Sequence, residues 1–82
     1  MKFLVTEIQT ASDGTVAQIT SVFDDRPHAE SSYHTILAAA ALSNLYMHAA
    51  IMYTSDGTSI MSGYYTHIPE PEPEPNNEEE TT

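Results

Sequence analysis

Two runs rich in β-branched residues, "KFLVTEIQTA" and "VAQITSVF", flank the tetrapeptide Ser12-Asp13-Gly14-Thr15 near the start of the chain. The same tetrapeptide recurs at Ser55–Thr58, between "YMHAAIMYT" and "SIMSGYYTHI". Asp-Gly between two β-prone runs predicts a hairpin, because a type I′ turn needs positive φ at both central residues. One turn chemistry therefore closes two hairpins. The flanking strands do not otherwise match, which argues against an internal duplication. A single Asp per loop is too few acids for a calcium loop.

Centring the first turn on Asp13-Gly14 pairs Leu4 with Phe23, Thr6 with Ser21 and Ile8 with Ile19 on one face. Val5 with Val22, Glu7 with Thr20 and Gln9 with Gln18 fall on the other. That register segregates most of the large apolar groups. The same construction in the second hairpin pairs Met52 with Met61, Tyr53 with Ile60, Ala49 with Tyr64, His48 with Tyr65 and Tyr46 with His67.

Between the hairpins the period changes from two to about 3.6. Ala29, Tyr33, Ile36, Leu37 and Ala40 recur at helical spacing and form one apolar stripe. Asp25 is a fair N-cap, and Pro27 is tolerated in the first turn. Glu30 lies near the positive end of the helix dipole. "LAAAAL" is strongly helix-forming, and its small side chains permit close packing. Ser43-Asn44 suits the exit.

The order β-β-α-β-β predicts an α+β two-layer sandwich, with a four-stranded antiparallel sheet and one helix across one face. All-antiparallel neighbours suggest the strand order 2-1-3-4. In a monomer the face away from the helix should be mostly polar. The second hairpin breaks that rule. Met47, Ile51, Tyr53, Ile60 and Tyr64 fall on one face, and Tyr46, His48, Met52, Met61 and Tyr65 on the other. Either way a Met- and Tyr-rich surface remains, with Val5 and Val22 expected to extend it. Such surfaces mark contact sites. The chain is therefore expected to form a homodimer or higher oligomer, packed sheet to sheet or edge to edge.

Composition sharpens this picture. Of 82 residues, Met1–Ile68 form the expected single domain, and Pro69–Thr82, "PEPEPEPNNEEETT", an acidic tail. Alternating Pro and Glu favours an extended, disordered segment. It reads as a solubilising tail, or as an acidic arm that mimics nucleic acid or docks on a basic partner. A 68-residue body with no cysteine has no disulfide or thiolate metal site to support a small core, which again favours self-association. Net charge is −10, with only Lys2 and Arg26 as cations. Direct nucleic-acid binding through phosphates and adsorption to anionic membranes are both disfavoured. No apolar run has the length of a signal peptide or a membrane span, so a cytoplasmic location is expected.

Candidate chemistry is sparse. Glu30 and His34, at i,i+4, suit a surface pair better than a metal site. His28 and His34 do not share a helix face, and His48 and His67 are out of register. Ser31 or Ser32 with His34 lacks any nucleophile-elbow context. Two of the three glycines lie in the turns, so no phosphate-cradling loop exists. No enzyme, cofactor or metal is expected. The remaining option is a small nucleotide-like ligand in a cleft at a dimer interface, lined by Tyr46, His48, Tyr64 and Tyr65, with Arg26 near a phosphate.

"EIQT" at Glu7–Thr10, "DGTV" at Asp13–Val16, "AESSYHTILAAAALS" at Ala29–Ser43 and "HAA" at His48–Ala50 together resemble a family of small uncharacterised proteins encoded by phages and prophages of gut Firmicutes. The resemblance covers most of Met1–Ile68 and is weaker past Thr54. It carries no activity to transfer. It implies a phage or prophage gene expressed in a bacterial host cytoplasm, and it draws attention to Glu30, Tyr33, His34 and His48. The expected role is a non-enzymatic binding module that captures a host protein or small signalling molecule, for instance against a host defence. The alternative is a structural or assembly protein of the phage particle.

Overall fold

A computed structural model describes residues 1–67. The expectations for Ile68–Thr82, including the acidic tail, lie outside the described residues. Strands β1 (Phe3–Thr10), β2 (Val16–Phe23), β3 (Met47–Thr54) and β4 (Ser59–Thr66) form one antiparallel sheet in the order β2-β1-β3-β4. Helix α1 (Arg26–Leu42) connects the hairpins and packs on one face, mainly across β3 with β1 and β4 beside it. The fold is the expected α+β two-layer sandwich with the expected strand order.

The turns differ from the expected type I′. Only Gly14 and Gly57 have positive φ among the described residues, both at +92°. In the first loop the Gly14 N–H donates to the Ala11 carbonyl at 2.9 Å, and the Ala11 N–H donates to Thr15 O at 2.8 Å. That is a type I turn followed by a glycine bulge, a three-residue hairpin loop rather than a two-residue one. The second loop repeats it, with Gly57 N–H to Thr54 O at 2.8 Å and Thr54 N–H to Thr58 O at 2.9 Å. Asp13 and Asp56 stiffen the loops by accepting the N–H of Thr15 and Thr58 at 2.9 and 3.1 Å. The bond from Thr15 holds the Asp13 carboxyl below its ordinary range, and the Thr54 hydroxyl together with Thr58 does the same for Asp56.

The longer loop moves the first hairpin by one residue, so the expected pairs do not form. Leu4 faces Val22, Val5 faces Ser21, Thr6 faces Thr20 and Ile8 faces Gln18. Each strand keeps its alternation, but β1 turns its other side to the helix, burying Val5 while Val22 stays uncovered. In the second hairpin the same offset appears at Tyr53, which faces Ser59 rather than Ile60. A bulge then inserts Ile60 and restores the expected pairing of Met52 with Met61, Ala49 with Tyr64 and His48 with Tyr65. Both Ile60 and Met61 consequently pack against the core, which strict alternation would forbid.

The helix starts where Asp25, in extended conformation, accepts the His28 N–H at 2.9 Å. It ends at Ser43, whose N–H donates to Ala40 O at 3.3 Å. The predicted stripe faces the sheet: Ala29, Tyr33 and Ala40 are buried, Ile36 and Leu37 half-buried. They meet Val5, Ala50 and Met52. Close approach is possible because the sheet is small there. A Cβ on Gly63 would lie 3.1 Å from Leu37 Cδ1 and from the Tyr33 hydroxyl. The core is thin: among the described residues Met52 and Val5 are the largest side chains that are fully buried.

Candidate functional site

Two features of the sheet are candidates: its uncovered face, and a hydrogen-bonded chain under the helix exit. The uncovered face takes the even-numbered residues of β1 and β2 and the odd-numbered residues of β3. Leu4 and Val22 stand side by side, with Tyr53 on the far side of Leu4. Ile51 borders Thr6, and Ala49 lies between Ile8 and Tyr64. Val16 and Met47 flank Thr10 at the turn end of β1. Val16, Val22 and Tyr64 are exposed by 58, 61 and 65 %. Strand spacing and rise give this face a footprint of roughly 400 Å². Thr10, Gln18, Thr20, Ser62 and Thr66 take part of that area, and the apolar side chains fill the rest.

The hydroxyls at the centre of this face bond one another, while Thr10, Gln18, Ser62 and Thr66 lie around them. Thr6, buried in its centre, has its hydroxyl 2.9 Å from both the Thr20 and Tyr53 hydroxyls. The face therefore turns the methyl groups and rings of Leu4, Val22, Ile51 and Tyr64 outward, with Gln18, Ser62 and Thr66 as its exposed polar positions. Val5 does not extend it, because Val5 lies on the helix side and is fully buried. Leu4 takes that place, as the one-residue register change requires.

The second feature joins three elements. Glu7 on β1 and His48 on β3 lie on the helix side, and Ser43 is the residue that closes α1. His48 Nε2 is 2.6 Å from Glu7 Oε2, and His48 Nδ1 is 3.2 Å from Ser43 Oγ. A carboxylate only accepts, so Nε2–H donates to Glu7; Nδ1 bonds the Ser43 hydroxyl, accepting from it in the neutral ring and donating to it in the imidazolium. Gln9 adds a donor to the same carboxylate oxygen at 2.9 Å. Burial pushes the Glu7 carboxyl up, but the bonds from His48 and Gln9 and the charge of His48 outweigh it and hold the group below its ordinary value. His48 is only 4 % exposed. The two bonds tie the helix exit to two strands.

The ten residues singled out from the sequence do not form one site. Tyr64 alone lies on the uncovered face. Tyr33 and Met52 are buried in the core, and Met61 is half-buried against it. Arg26 donates from Nε to Glu30 at 2.6 Å, so Glu30 pairs with Arg26 rather than with His34. His34 is exposed and sits edge-on to the Tyr33 ring at 5.2 Å. The expected cleft of Tyr46, His48, Tyr64 and Tyr65 is not assembled within the chain. His48 and Tyr65 are paired on the helix side, whereas Tyr64 points to the opposite face. Tyr65 stacks on His67 with centroids 6.4 Å apart. His67 in turn reaches Ala40 O at 2.8 Å and so satisfies a carbonyl at the helix end. The four histidines thus occupy four separate places: His28 contacts Asp25, and the other three are bound as described.

Both cations are engaged, Lys2 with Asp24 and Arg26 with Glu30. Among the described residues, no helix is long and apolar enough to cross a membrane. No protein-family model matches the chain, and neither a curated protein nor a solved structure matches it significantly.

Proposed function

We propose that the protein is a non-enzymatic phage or prophage accessory protein, a homo-oligomeric module that captures a host protein through the uncovered face of its sheet. The observation that carries this reading is that face: its interior hydroxyls are bonded to each other, and Leu4, Val22, Ile51 and Tyr64 border water. A flat apolar sheet face suits another protein better than a small molecule, which binds in concave sites. The resemblance to phage and prophage proteins supplies the setting, a bacterial host cytoplasm and a role against a host defence.

Glu7, His48 and Ser43 have the connectivity of a nucleophilic site, but their setting favours a structural tie. Ser43 stands at the carbonyl end of α1, where the dipole and the exposed groups repel a developing oxyanion. His48 is closed off from water.

The test compares the wild-type protein with Tyr64→Asp, a substitution at an exposed position that should move stability by less than about 0.5 kcal/mol. Immobilised wild-type protein in host lysate should retain a discrete protein that the variant loses, with identical circular dichroism for the two. Equal retention by both would refute the role of this face. The same uncovered surface would also serve a structural component of the phage particle, a reading that predicts the protein in purified virions and fails if mass spectrometry finds none there.

A further inference from the structure

We propose that β2 is a self-pairing edge, and that two copies of the chain join β2 to β2 antiparallel about a two-fold axis through Ile19, making one eight-stranded sheet. This rests on the self-association contained in the proposed function and assigns it to a surface other than the capture face.

The edge is unprotected. β2 reads VAQITSVF, with no charge and no proline, and its pairing with β1 runs without a bulge from Phe3–Phe23 to Thr10–Val16. Edge strands ordinarily carry Lys, Pro or a bulge that deters pairing. The opposite edge, β4, has such a bulge at Ile60. The helix also covers β2 least, so Ile19 is 54 % exposed although it points to the helix side.

The backbone and side chains select one register. The Ala11–Thr15 bond sets the alternation of the β1–β2 ladder. Ala17, Ile19 and Ser21 direct their backbone groups towards β1. Val16, Gln18, Thr20 and Val22 direct theirs outward. A two-fold that keeps both helices on the same side pairs outward residues only with outward residues. Two registers give full overlap. One is centred on Ile19, pairing Val16 with the partner's Val22 and Gln18 with the partner's Thr20. The other is centred on Thr20, pairing Val16 with the partner's Asp24 and Ile19 with the partner's Ser21. Only the first gives each exposed large apolar side chain of β2, Val16, Ile19 and Val22, an apolar neighbour. It also places no charge in the paired strands and merges the two uncovered faces into one continuous surface.

The chain has no cysteine, so single cysteines report the register directly. In the proposed dimer the two Ile19 residues form a non-hydrogen-bonded pair, whose Cα atoms lie about 4.5 Å apart, within disulfide reach. Ile19→Cys under mild oxidation should give a covalent dimer, and Thr20→Cys should give none. Native mass spectrometry of the full chain should show a dimer for wild type and at least a tenfold weaker one for Ile19→Lys, with circular dichroism confirming that the variant is folded. Tyr64→Asp should leave the dimer intact, so failure of capture and failure of dimerisation read out separately. Cross-linking through Thr20 instead of Ile19, or a wild-type monomer, would overturn the proposal.

Discussion

Glu7→Ala isolates the tie under the helix exit. Glu7 is the acceptor for the Nε2–H of a histidine that is 4 % exposed, so the vacated site offers little water in exchange. A hydrogen bond to a charged acceptor contributes roughly 1.5–3 kcal/mol, and a stranded buried donor costs about 1–3 kcal/mol. These are one loss seen from two sides, so the expected cost is about 2 kcal/mol. Glu7→Gln keeps an acceptor oxygen but loses the charge and should cost about 1 kcal/mol. Replacing Glu7 and His48 together by leucine removes both polar groups and should cost less than the single losses combined, with a coupling of about 1.5 kcal/mol. Urea unfolding followed by circular dichroism measures these proteins together with Glu7→Leu and His48→Leu, which complete the cycle, and in heat the Glu7→Ala loss corresponds to a Tm lower by roughly 8–16 °C. The pH dependence has a definite sign. The folded Glu7 carboxyl titrates below its ordinary value of 4.5, so its contribution is complete above pH 4.5 and is lost as pH falls through the folded value. The gap between wild type and Glu7→Gln should close over that acid range. Strictly additive single losses, or a gap that persists unchanged in acid, would refute the tie.

The turn and the helix seat give two more expectations. Gly57→Val forces a β-branched residue to φ +92° and should cost about 1–3 kcal/mol, with Gly57→Asn recovering much of it; a neutral valine would refute the turn assignment. Gly63→Val places its Cβ 3.1 Å from Leu37 Cδ1 and the Tyr33 hydroxyl and should cost about 1–3 kcal/mol in urea unfolding. A neutral outcome there would mean that the helix sits farther from β4.

Much of the architecture is legible because it is local. Asp25, Pro27 and the Ala29–Ala40 stripe announce the helix within one segment, and each SDGT announces a reversal. What the four letters do not reveal is loop length. A two-residue I′ turn and a three-residue loop with a glycine bulge use the same Asp-Gly, but the first puts both residues at positive φ and the second Gly alone. That one residue exchanges Leu4 for Val5 on the uncovered face. The Ile60 bulge hides the same error in the second hairpin by cancelling it, so the expected pairs there form although the expected turn does not.

The Glu7–His48 contact is non-local, set by the β1–β3 register, which places Gln9 opposite His48 and Glu7 two residues along. No turn between adjacent strands encodes that register. One signal did exist: Glu7 is the only acid and His48 the only histidine in any of the four strands. A carboxylate on a strand face that must meet a helix needs a partner, and the strands offered one candidate. The same arithmetic bears on the surfaces. Arginine, lysine and proline are absent from all four strands, and their single acid is turned inward to His48. One 17-residue helix covers one face of the sheet and leaves β2 exposed on both from Val16 to Val22. A chain built to remain alone would place charges on that face and that edge, and this one places Val16, Ile19, Val22 and Tyr64 there instead.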